Sequence, residues 1–102
     1  MWKLSDTGQI SLTQLRQALD VLLAHVEQRE GESIALDVDY FWNVPRSALY
    51  DVEHEPDELT VGQVSESWNH LQEVLGDESR GVGYGLVWLA DVIRAVGHHA
   101  VG

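Results

Sequence analysis

Leu12, Leu15, Leu19, Leu22 and Val26 recur at alternating spacings of three and four. A stripe with that period runs along one face of an α-helix. Ser11 and Gln14 have the form of a capping box, and Gly31 supplies a stop, so a helix is expected over residues 11–30. About 19 residues would make it about 28 Å long. The same spacing is that of a heptad seam. With about two and a half heptads, it suits either a face packed in the core of its own chain or a seam against a second copy.

The period changes to two over residues 33–42. Ile34, Leu36, Val38, Tyr40 and Trp42 alternate with Ala35, Asp37, Asp39, Phe41 and Asn43. Such alternation reads as a half-buried strand, with Tyr40 and Trp42 inward and Phe41 on the acidic side. Its nearest partner is Ser47–Val52, reached through the turn Asn43-Val44-Pro45-Arg46. Met1–Leu4 could add a further short strand. A second helix is expected from Thr60 as N-cap, with Gln63 closing a capping box. Val61, Val64, Trp68, Leu71 and Leu75 form its apolar face, and Gly76 ends it. A last helix is expected from about Val82 to Val96. Its apolar face is wide, taking in Tyr84, Leu86, Trp88, Leu89, Val92, Ile93 and Val96, with only Asp91 and Arg94 as a polar strip. A helix that is apolar nearly all round belongs at the centre of the fold or at a dimer interface. After it, Gly97-His98-His99-Ala100-Val101-Gly102 reads as a frayed tail. The expected fold is α+β and mainly helical. Three helices pack with a small β-hairpin, with strands near 34–42 and 47–52, in one globular domain spanning 1–102.

Composition narrows the function classes. Six basic and 17 acidic residues among 102 give a net charge of −11. That opposes nucleic-acid binding, which needs a basic footprint. Ten acids and one base, Arg46, lie between Glu30 and Glu66, so this segment holds nearly all of the excess. The absence of cysteine excludes disulfides, a thiol nucleophile and thiolate metal ligands. No apolar run approaches the ~20 residues of a membrane span. The amino-terminal segment has no signal-peptide pattern, so a cytoplasmic location and no membrane partner are expected.

Asp39-Tyr40-Phe41-Trp42, Val44-Pro45, Leu49-Tyr50-Asp51, Glu58-Leu59-Thr60-Val61-Gly62-Gln63 and Tyr84-Gly85-Leu86-Val87-Trp88-Leu89-Ala90 together form a recognisable pattern. It resembles a group of small acidic bacterial proteins of uncharacterised function. The resemblance implies a bacterial source and no particular activity, cofactor or catalytic residue.

Several groupings could carry chemistry. Asp37 and Asp39 share one side of the expected strand, and with His54 they could hold a divalent cation. Against this, period-two acids also mark the wet face of a strand and guard an edge. Glu66, His70 and Glu73 stand one helical turn apart and read as a solvated face more readily than as a metal site. The loop Glu53-His54-Glu55-Pro56-Asp57-Glu58 lacks the glycine and the oxygen spacing of a calcium loop. Gly81, Gly83 and Gly85 could cradle phosphate ahead of a helix, but the chain is acidic and has no Lys-Ser/Thr ending there, so close packing or a hinge fits better. His98 and His99 read as tail residues, and His25 as a helix-flank residue. No catalytic constellation is evident.

These features favour a non-catalytic interaction domain that binds a basic protein partner, as an immunity, inhibitor or accessory protein would. Its expected contact residues are Asp37, Asp39, Phe41, Asp51, Glu53, Glu55, Asp57 and Glu58. An aromatic ring beside carboxylates suits the Arg or Lys side chains of such a partner. One alternative is a metal-binding domain or small metal-dependent enzyme built on Asp37, Asp39 and His54. Another is a self-associating domain, with a homodimer formed through the last helix. No cofactor is implied.

Overall fold

A computed structural model describes residues 9–101. The possible strand at Met1–Leu4 lies outside these residues. The chain divides into two compact units, residues 1–35 and 36–102.

Among its described residues, the first unit has one helix, α1 (Leu12–Glu30). Its ends are those the sequence marks. The Ser11 hydroxyl accepts a hydrogen bond from the Gln14 N–H at 3.2 Å. Gly31 takes φ +92°, in the left-handed region that suits glycine, and its N–H donates to the Glu27 carbonyl at 2.8 Å. No residue of α1 is buried.

The second unit runs β1 (Tyr40–Asn43), α2 (Arg46–Leu49), β2 (Thr60–Gln63), α3 (Val64–Gly76), a 3₁₀ turn (Glu78–Gly81) and α4 (Gly85–Val101). The fold is mainly helical α+β, as expected, with one two-stranded antiparallel sheet. Its strands differ from the sequence reading. Residues 34–39 stay outside β1, and Ser47–Val52 is not its partner. Pro45 presets the backbone for a turn of helix, α2, in which Arg46, Ala48 and Leu49 are good helix formers. β1 instead pairs with Thr60–Gln63, in the register Tyr40↔Gln63, Phe41↔Gly62, Trp42↔Val61 and Asn43↔Thr60. The capping-box pattern at Thr60 and Gln63 therefore lies in a strand, and α3 begins at Val64.

The alternation in β1 is also reversed. Tyr40 and Trp42 are exposed, whereas Phe41 packs against the core. A shift of one residue in a period-two element turns every side chain to the other face. The cause lies across the strand. Gly62, opposite Phe41, carries no side chain, and the Phe41 ring occupies the space a Cβ would fill.

The core consists of Val64, Val92 and Ala95, with Leu36, Phe41, Leu71 and Val96 packed against it. α4 supplies two of the three buried apolar residues, which gives it the central place its apolar width suggested. Its other side leaves Leu86 and Val87 exposed. On α3 the inner face is Val64, Ser67 and Leu71, so Trp68 and Leu75, expected inside, are exposed. α4 continues through His98 and His99 to Val101, where a frayed tail was expected.

Two glycine substitutions should act with opposite signs. Gly62→Ala drives a methyl into the Phe41 ring and should lower stability by roughly 1–3 kcal/mol. Gly97→Ala, inside α4 with open space around it, should raise stability by about 0.5–1 kcal/mol. Urea unfolding of both variants checks the pair.

Candidate functional site

The outer face of the sheet carries three apolar side chains side by side. Tyr40 and Trp42 are two residues apart on β1, and Val61 is the cross-strand partner of Trp42. Their exposures are 70%, 71% and 61%. Burying aromatic rings is among the larger gains a protein can make, so rings this bare are available for a contact. The acidic loop runs directly into β2. Every residue from Tyr50 to Thr60 is exposed, including Asp51, Glu53, Glu55, Asp57 and Glu58. Within it, His54 Nδ1 lies 3.1 Å from both carboxylate oxygens of Asp51.

Asp39 plays a different part. Its backbone carbonyl accepts from the Val64 N–H at 2.7 Å. One carboxylate oxygen accepts from the Ser65 N–H at 2.8 Å. The other accepts from Gln63 Nε2 at 2.9 Å and from the Ser65 hydroxyl at 3.1 Å. The start of α3 is thus capped by a residue just ahead of β1, while Gln63, in the N-cap position itself, makes no side-chain cap bond. These bonds hold the Asp39 carboxyl below its ordinary range. The Ser65 N–H contributes most and Gln63 next, while desolvation opposes them.

A groove of about 250 Å³ lies between β1 and α4. Val38, Tyr40, Phe41 and Val64 are among its lining, along with Asp91, Arg94 and His98 from α4. Asp91 accepts from the Ser67 hydroxyl at 3.0 Å and lies 3.9 Å from Arg94. Where α3 meets α4, His70 stacks on Trp88 with ring centroids 4.5 Å apart, and Tyr84 stacks on the same indole at 6.3 Å. Glu66 and Glu73 flank His70 at 3.8 and 3.9 Å, and Arg80 reaches Glu73 at 3.2 Å. His70 is therefore part of the helix–helix contact, rather than lying on the wholly solvated face expected of it.

The expected site residues are thus only partly gathered. Asp51, Glu53, Glu55, Asp57 and Glu58 share the exposed loop. Asp37 is an exposed residue in a bend, Asp39 caps α3, and Phe41 faces the core. The possible metal set of Asp37, Asp39 and His54 is not assembled, because His54 turns to Asp51 and Asp39 to Gln63 and Ser65. Among the described residues, no three His, Asp or Glu side chains are grouped to hold a metal ion. The spacing alone does not show Tyr40 and Trp42 as exposed, because Gly62, the cross-strand partner of Phe41, decides which side of β1 faces in. No described helix is long and apolar enough to cross a membrane. Comparison with protein-family models, with curated proteins and with solved structures finds no match.

The Asp39 cap predicts an acid-side loss of stability. A carboxyl held below its ordinary value stabilises the fold above the unfolded-state value of 3.8. That contribution disappears as pH falls through the lower folded value. Between about pH 5 and pH 3, the urea midpoint of the natural chain should fall more than that of Asp39→Asn, which keeps an acceptor for the Ser65 N–H but has no charge to lose.

Proposed function

We propose that this chain is a small, non-catalytic interaction domain that binds a basic segment of a partner protein. Tyr40, Trp42 and Val61 form the contact face, and the loop acids Asp51, Glu53, Glu55, Asp57 and Glu58 form its charged border. The observation that carries this reading is the pair of bare rings, Tyr40 and Trp42, on a strand whose partner β2 is entered directly from that loop. Interface energy concentrates on Trp, Tyr and Arg, and an aromatic face attracts Arg and Lys cations. The net charge of −11 would steer a basic partner to the surface and speed encounter more than it would slow release. Asp37, exposed just ahead of β1, extends the acidic border. Asp39 acts indirectly, by keeping β1 against α3.

The test uses a synthetic Arg/Lys-rich peptide titrated into the full chain, followed by Trp fluorescence and by stopped flow. Trp42→Ala should weaken binding by about tenfold, equivalent to about 1.4 kcal/mol. Raising salt from about 50 to about 300 mM should slow association by at least about tenfold. Equal affinity in Trp42→Ala, or an association rate indifferent to salt, would remove the basis for this assignment.

A further inference from the structure

We propose that the partner's basic segment binds in extended form, as a third strand added to the open edge of β1. The sheet has two strands, so each keeps one edge without a neighbouring strand. The register decides which backbone groups face that edge. The Val64 N–H donates to the Asp39 carbonyl at 2.7 Å, and residues 39 and 64 are the next facing pair after Tyr40↔Gln63. Hydrogen-bonded pairs alternate along an antiparallel ladder, so Phe41↔Gly62 and Asn43↔Thr60 are the pairs that exchange bonds. The N–H and C=O groups of Tyr40 and Trp42 then point away from β2, and none of the described residues bonds to them. Natural edges are commonly guarded by charge or proline, and Tyr40-Phe41-Trp42-Asn43 has neither.

Two features favour this edge over that of β2. The first is the groove of about 250 Å³, which follows it. Tyr40 and Phe41 point to opposite faces of the sheet, yet both line the groove, whereas no residue of β2 does. The groove surface is mostly apolar, with Val38, Val64 and Ala95 contributing, and Asp91 on its α4 side is already bonded to Ser67. The second is that both bare rings, Tyr40 and Trp42, stand on β1, so the side chains of a strand laid beside it fall next to them. An added strand alternates its side chains between the two faces. One set meets the rings, where Arg or Lys is favoured, and the other enters the groove, where aliphatic groups are favoured. Charge completes the description of the occupant. Residues 36–102 hold twelve acids and three bases, net −9, which opposes the same edge of a second copy and favours a cationic strand. The occupant is therefore a partner segment in which basic and aliphatic residues alternate.

This inference rests on capture of a basic segment at the Tyr40 and Trp42 face, so the probes differ only in how they present the same residues. The natural chain is titrated with a short peptide of alternating Arg and Val, and with one of the same composition in two blocks. Two further alternating peptides are N-methylated, at every Arg or at every Val. The alternating peptide should bind at least about tenfold tighter than the block peptide. Methylating one alternate set should weaken it by at least about a hundredfold and the other by less than about threefold, because only alternate N–H groups face β1. Loss on Arg methylation marks an antiparallel strand, and loss on Val methylation a parallel one. Amide hydrogen exchange in the saturated complex should slow by at least about tenfold at Tyr40 and Trp42 and stay unchanged at Val61 and Gln63. Equal affinity of all the peptides, or equal loss from both methylations, overturns strand addition and leaves the sheet-face reading standing. No binding by any of them removes both. Slowed exchange at Val61 and Gln63 instead places the strand on β2 and overturns the assignment. So does protection of Tyr40 and Trp42 that appears without peptide and grows with protein concentration, which gives the edge to a second copy.

Discussion

The second unit depends on how Asp39 holds the start of α3. A helix begins with backbone N–H groups that have no partner within it, and here two of them are met from outside. The Asp39 carbonyl takes the N–H of Val64 at 2.7 Å, and its carboxylate takes that of Ser65 at 2.8 Å. A charged acceptor makes the second bond stronger than a neutral cap would. Because Asp39 directly precedes β1, the same bonds tie the sheet to α3. Val64, the first residue of α3, is itself one of the three buried apolar residues. Cap, strand position and core are thus set together.

A two-stranded sheet is marginal by itself and needs a surface to rest on. Here one face supplies the anchor. Phe41 covers Gly62 and packs on the core, which leaves the other face, with Tyr40, Trp42 and Val61, turned outward. The functional surface proposed above is therefore the reverse of the structural one. The strand that buries one ring must, by its period, present the two flanking rings.

Charge divides the chain further. Residues 36–102 carry a net charge of −9, and α1 only −1. Like charges on two copies oppose contact between their acidic segments and favour contact with a cation.

What the sequence determined by itself was local. The ends of α1 lie at Ser11 and Gly31 because a hydroxyl cap and a left-handed glycine act within a single turn. The mainly helical α+β class and the exposed acidic loop were also legible, since period and composition report on nearest neighbours. What tertiary structure decided was every feature that depends on a residue far along the chain. β1 pairs with Thr60–Gln63 instead of Ser47–Val52 because Pro45 opens a helical turn and Gly62 leaves room for Phe41. Asp39 reads as a wet-face acid, yet it caps a helix that begins 25 residues later. Thr60 and Gln63 carry a valid local capping pattern, but pairing with β1 outweighs it. Sequence spacing sets the period of an element, but its inward side is set by the shape and hydrogen-bonding groups of whatever packs against it.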